Sequence, residues 1–286
     1  MPKIKTADGV NLYYEEAGAG TPIVFVHEFA GDYRTWEPQM RRFARSHRCV
    51  TYSQRGYPPS DVPNDAARYG QDIARGDVIA VMDALGIKKG HVVGHSMGAY
   101  TSLHVGMRHP ERCISVTAAG CGWGSLPDPA AREAMRAQAA ETAKMFTEKG
   151  IAAAAASYAD TATRQSQKHK DPRGYAEFSR MLAEHSAQGH ALTMAMLQSK
   201  RPTLWDMEAD LKKFSVPLLI IVGDEDETCL DGSVFLKRTA PTAGLLVIPR
   251  SGHTITSEEP AAVNAALAEL FAAAENGRWL AHKPPA

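Results

Sequence analysis

Ser96, a carboxylate among residues 224–226, and His253 are the side chains whose types and placement suit nucleophilic catalysis. A serine hydroxyl is a poor nucleophile until a base takes its proton. An imidazole can do that, and an acid must then hold and charge-stabilise the imidazole. Ser96 is the centre of Gly94-His95-Ser96-Met97-Gly98, a G-x-S-x-G pentapeptide. An apolar run, His91-Val92-Val93, precedes it and a helix-like run, residues 99–105, follows. Strand, sharp turn and helix form the context in which this pattern exposes a serine as a nucleophile elbow. Gly223-Asp224-Glu225-Asp226 follows the apolar run 218–222, and Ser251-Gly252-His253 follows the run 245–248.

For these groups to meet, their strands must share a sheet edge. Residues 3–6 and 10–16 alternate around Asp8-Gly9, a hairpin signal. Pro22 to His27, Cys49 to Tyr52, Cys113 to Ala119, Pro217 to Val222 and Gly244 to Ile248 are short apolar runs. Continuous apolar runs of this length fit strands buried on both faces of a parallel sheet. Helical patterns at 36–45, 70–85, 230–238 and 260–274 alternate with them. The expected fold class is α/β, a mostly parallel central sheet flanked by helices, whose loops converge at the carboxyl ends of the strands. One segment breaks the alternation. Residues 125–205 hold helix-like patches at 131–149 and 175–190 and no convincing strand. The expected organisation is therefore a core of 1–124 and 206–286 with a helical insertion at 125–205, late in the sheet.

Thirty-two Lys+Arg balance 32 Asp+Glu. A neutral chain offers no electrostatic footprint for nucleic acid or an anionic membrane. The amino terminus lacks the apolar stretch of a signal peptide. The four cysteines are far apart and lack metal-ligand spacing. They read as reduced thiols of a cytoplasmic protein. Monomer and homodimer both stay open.

Taken together, these motifs resemble the α/β-hydrolase fold superfamily. The resemblance rests on His27, Arg55-Gly56, the pentapeptide 94–98, Gly223 through Asp226, and Gly252-His253 followed by Glu258-Glu259-Pro260. It covers nearly the whole chain, and the order serine, acid, histidine is that of the family. It implies Ser96 as nucleophile, His253 as base and, by spacing from Gly223, Asp226 as acid. It further implies an oxyanion hole built from the backbone N–H groups of Met97 and Phe29, and it makes residues 125–205 a cap. Trp123, Met145, Met181 and Met194 are expected near the substrate, with Glu28 a further candidate.

Two positions depart from the family pattern. Glu28 stands where glycine is usual, beside the expected oxyanion site. Its expected role is structural, with a raised-pKa acid or a contact to a polar substrate as the alternatives. Ser53 stands where aspartate is frequent, which weakens an expected ion pair with Arg55. Arg164, Lys168, Lys170 and Arg173 read as a solvated basic loop, with a carboxylate clamp as the alternative.

The expected reaction is hydrolysis of an ester-like bond in a small or medium organic substrate, through an acyl-enzyme, without metal or organic cofactor. Lactonase, thioesterase, amidase, carbon–carbon bond hydrolase and cofactor-free perhydrolase (haloperoxidase) chemistry use the same residues and stay open. So does a ligand receptor built on a slow hydrolase scaffold.

Overall fold

The computed structural model describes residues 1–282. Its strands are β1 (Lys3–Lys5), β2 (Asn11–Ala17), β3 (Thr21–Val26), β4 (His47–Tyr52), β5 (Gly90–His95), β6 (Cys113–Ala119), β7 (Leu218–Gly223) and β8 (Ala243–Ile248). They form one sheet in the order β1-β2-β4-β3-β5-β6-β7-β8. Only β2 runs against the rest, antiparallel to both of its neighbours. From β4 to β8 every pairing is parallel.

The helices are α1 (Glu37–Phe43), α2 (Gln71–Ala84), α3 (Met97–Arg108), α4 (Pro129–Ala159), α5 (Gln165–Lys170), α6 (Pro172–Ala183), α7 (Ala187–Leu192), α8 (Glu208–Leu211), α9 (Glu227–Thr239), α10 (Ile255–Glu258) and α11 (Pro260–Glu275). Both faces of the parallel strands are covered, which is why those strands read as unbroken apolar runs. On one face Trp36, Met40 and Phe43 pack against Leu267, Leu270 and Phe271. On the other Val78, Val81, Leu103, Val105 and Leu236 form a second layer.

The region between β6 and β7 is helical and contains no strand among the described residues. The helix-like patch expected over 131–149 forms the first part of α4, which Gly150 (φ 73°) breaks before a second stretch that ends at Ala159. The helix-like patch expected over 175–190 is divided in two. α6 ends at Ala183 and α7 opens after Ser186, whose hydroxyl accepts the Gly189 N–H at 3.1 Å. A serine side chain that bonds local backbone favours a helix start over a helix interior.

Strand order reverses at β3, which lies between β4 and β5. Such a switch point opens a crevice beyond the carboxyl ends of the strands. β3 and β5 lie in register, Val26 opposite Gly94. The loop beginning at His27 and the turn at Ser96 therefore leave the sheet side by side. No described helix is long and apolar enough to cross a membrane, and all four cysteines are buried and unpaired.

Candidate active site

The turn at Ser96 is made by its glycines. Ser96 has φ 53° and ψ −111°, a strained conformation that costs a non-glycine residue about 1–3 kcal/mol. A Cβ on Gly94 would overlap the Gly98 carbonyl, and one on Gly98 would overlap the Val26 carbonyl. The G-x-S-x-G spacing is thus what lets β5 turn into α3 while α3 presses against β3. The Ser96 N–H is anchored on the Ala119 carbonyl at 2.7 Å. The Met97 N–H lies in the first turn of α3, where a helix has no acceptor of its own to offer.

The loops after β7 and β8 supply the rest. Asp226 precedes α9 and is fully buried, while Asp224 and Glu225 are exposed. His253 Nδ1 lies 2.7 Å from Asp226 Oδ2, and His253 Nε2 lies 2.8 Å from Ser96 Oγ. Ser96 and His253 are 7% and 8% exposed. Burial works against a charged His253 ring. The Asp226 charge and hydrogen bond, with Glu28 behind them, outweigh it and raise the pKa above the ordinary 6.5. His95, next to the serine, is pushed down to about 4, chiefly by burial, and its Nε2 lies 2.6 Å from the His253 carbonyl. His27 is likewise held at about 4, mainly by burial, and ties the Glu28 carbonyl to the Gln54 N–H. Of these three rings only His253 is poised to exchange a proton near neutral pH. A hydroxyl on such a ring can lose its proton as it attacks a carbonyl, and Asp226 can stabilise the resulting imidazolium.

The structure explains Glu28 and corrects the reading of Arg164. Arg164 is not in a solvated basic loop. It is 1% exposed, and its two terminal nitrogens reach the Glu28 carboxylate at 2.5 and 3.2 Å. Its guanidinium also lies over the Phe178 and Tyr158 rings. Burial alone would raise the Glu28 pKa, but Arg164 holds it at about 2. The neighbouring Thr163 carbonyl accepts the His253 N–H at 2.9 Å, and Ser166 Oγ donates to the Arg250 carbonyl at 2.9 Å. One segment of the helical region thus grips both the Glu28 loop and the His253 loop. Lys170, at the surface, bridges Glu258 and Glu259. A single clue in the sequence pointed to Arg164, namely that a carboxylate beside a buried serine needs a cation.

Arg55 is corrected as well. Ser53 leaves its ion pair intact, because Asp77 and Asp8 supply the carboxylates at 2.7 and 2.8 Å.

Phe29 is buried among the rings of Phe146, Tyr158 and His190. Met97 and Met194 belong to the same apolar cluster, with Trp123 and Met145 packed against it. Met181 stands apart. It lines a cleft of about 770 Å³ with Glu28, Tyr33, Arg34 and Phe178. Sequence reasoning missed Arg201, which is buried beside Trp123, and Cys229, whose Sγ lies 3.7 Å from His253 Nδ1.

The family model described as alpha/beta hydrolase fold matches residues 21–260. A protein of Acinetobacter baylyi named 3-oxoadipate enol-lactonase 1 is 29% identical over 248 residues, 83% of this chain and 84% of its own. A solved structure described as Est816, an N-acyl homoserine lactone degrading enzyme, superposes with a TM-score of 0.75 at 26% identity over 94% of this chain and 99% of its own. A thermophilic esterase from Thermogutta terrifontis shares the fold with a TM-score of 0.82 at 24% identity, covering 96% of this chain and 98% of its own.

Proposed function

We propose that this chain, which belongs to the alpha/beta hydrolase fold family, is a serine hydrolase that cleaves an ester or lactone through an acyl-enzyme. The observation that carries this reading is the unbroken contact path from Ser96 Oγ to His253 Nε2 and from His253 Nδ1 to Asp226, at 2.8 and 2.7 Å. His253 takes the Ser96 proton during attack and returns it to the leaving oxygen. It then takes a proton from water as the water oxygen attacks the acyl carbon, and returns that proton to Ser96 Oγ as the acyl–oxygen bond breaks and the acid leaves. The Met97 and Phe29 N–H groups stabilise the oxyanion. Residues 125–205 act as a cap whose Met145 and Met194, with Trp123 just ahead of it, pack with Phe29 and face the acyl group.

A panel of p-nitrophenyl acetate, butyrate and octanoate, a γ-lactone, a thioester and a vinylogous diketone tests the reaction type. The expected result is faster turnover of the oxygen ester or lactone members than of the diketone. Preference for the diketone would replace hydrolysis of a carbon–oxygen bond with that of a carbon–carbon bond.

The pH profile follows from the raised His253 pKa. The base must be neutral to accept the Ser96 proton, and kcat/KM reports the free enzyme. It is therefore expected to rise with pH along a limb whose midpoint lies above 6.5, the ordinary histidine value. A midpoint below about 6, or a flat profile from pH 5 to 8, would contradict His253 as the base.

A further inference from the structure

We propose that Arg201 anchors a carboxylate on the substrate, so that the preferred substrate is an ester or lactone of a short dicarboxylic acid. This inference rests on the serine-hydrolase reading for the position of the bond that breaks.

Arg201 is 7% exposed. Its Nη2 donates to the Trp123 carbonyl at 2.8 Å, and its buried Nη1 has no partner. Among the described residues no carboxylate lies within salt-bridge reach, in contrast with buried Arg164 and Arg55, which have two-point carboxylate contacts. Burial lowers the Arg201 pKa, but a guanidinium keeps its charge in proteins. A buried charge is normally paired, because desolvating it alone is costly. The guanidinium lies flat enough on Tyr100 to place its carbon 3.6 Å from the ring centroid. That contact offsets part of the cost, yet leaves the edge bearing Nη1 with an unmade hydrogen bond.

The surroundings point to an anion. Arg201 lines a cleft with Tyr100, Trp123, Gln198, Arg132 and Arg136, and no acidic residue lines it. Arg132 and Arg136 have their own partners in Asp206 and Glu133. Arg201 is left as the unmatched positive charge. Buried Gln198 Oε1 also lacks a partner, and its amide can be turned to present N–H groups to a carboxylate. The cleft has about 20 Å³ free for a water-sized group, against the roughly 10–15 Å³ one water needs. What fits is small, such as a carboxylate that replaces water. The walls are fixed: the Tyr100 hydroxyl pairs with Ser125 Oγ, which accepts the Leu204 N–H.

The cleft is also close to the nucleophile. The Tyr100 N–H donates to the Ser96 carbonyl, so the residue whose ring lies under Arg201 is in the first turn of the helix that follows the nucleophile. Trp123, whose carbonyl Arg201 holds, packs against the cluster that contains Phe29 and Met97. Under the proposal a short acyl chain spans the distance from Arg201 to Ser96. An Arg–carboxylate contact is charge-assisted and directional. It would fix the acyl chain by its far end.

The test compares half-esters with neutral isosteres: monomethyl succinate, glutarate and adipate against methyl butanoate, pentanoate and hexanoate. At the best length, wild type is expected to show kcat/KM at least tenfold higher for the half-ester. Arg201→Met is expected to reduce that ratio at least thirtyfold, and Arg201→Lys to keep part of it. A wild-type ratio of one or less at every length overturns the proposal. So does an Arg201→Met variant that loses both substrates alike, which marks a brace between Tyr100 and Trp123. Calorimetry with glutarate needs no turnover. If no ester is cleaved, the hydrolase reading falls and glutarate binding decides: loss in Arg201→Met supports the site, and no binding to wild type overturns it. If Arg201→Met does not fold, Arg201→Gln takes its place in both assays.

Discussion

Replacing Ser96 with alanine is expected to abolish covalent labelling by a fluorophosphonate and to lower kcat for the best ester roughly 10⁴- to 10⁶-fold. That range corresponds to about 5–8 kcal/mol of transition-state stabilisation. The size follows from what remains. The Ser96→Ala protein would keep the strained turn and the backbone N–H groups, so binding and oxyanion stabilisation persist, while the bond-forming atom is gone. No neighbour can take over. Cys229 is the nearest alternative nucleophile, its Sγ 3.7 Å from His253 Nδ1. Burial first, and Asp226 next, push its thiol pKa well above the ordinary value, so it is not a thiolate at working pH. Cys229 also sits on the Asp226 side of the imidazole rather than on the Ser96 side. Fluorophosphonate labelling with circular dichroism as the folding control makes the measurement. A Ser96→Ala protein that keeps more than a tenth of the wild-type rate would mean that Ser96 is not the nucleophile.

That Ser96, Asp226 and His253 come together was legible in the sequence, because each follows a strand closely and a parallel sheet gathers the ends of its strands on one edge. The information is local: a few residues around each group state both the element and the turn. Arg164 could not be read that way. Its partner Glu28 is 136 positions away, and the intervening chain builds β4, β5 and β6 before entering the helical region. Charge density in residues 164–173 suggested solvent, and for exposed Arg173 that reading holds. Nothing in the spacing separates Arg173 from Arg164, since the turn just before α5 and the start of α6 send them different ways only after packing. The Arg55 case is similar. The frequent aspartate is absent at Ser53, yet Asp77 on α2 and Asp8 in the first hairpin turn arrive through tertiary contact. The split of α6 from α7 was within reach, since Ser186 three residues before Gly189 is a capping signal. The apolar pattern across 175–190 outweighed it.

Replacing Arg164 with methionine is expected to destabilise the fold by ~3–5 kcal/mol, because it leaves the Glu28 carboxylate buried without a counter-charge. Glu28→Gln leaves Arg164 stranded in the same way and should also be costly. The double variant, Glu28→Gln with Arg164→Met, should be less destabilised than the sum of the two, because the pair is removed as a unit. Urea denaturation of the four proteins closes the cycle. If Arg164→Met costs less than about 1 kcal/mol, the contact is worth no more than an exposed ion pair. The pH dependence has a definite sign. Glu28 has a folded pKa of about 2 against an ordinary 4.5, so its contribution is complete above about 4.5 and is lost as pH falls toward 2. The pair also bears on catalysis under the proposed function. Glu28 precedes Phe29, whose N–H is the proposed oxyanion donor, and Arg164 follows Thr163, whose carbonyl holds the His253 N–H at 2.9 Å. The ion pair therefore joins the backbone that supplies the oxyanion donor to the backbone that carries the base. In the double variant, a stable fold with kcat lowered and KM little changed would mark Glu28 and Arg164 as positioning residues. A stable fold with wild-type kcat would confine them to stability.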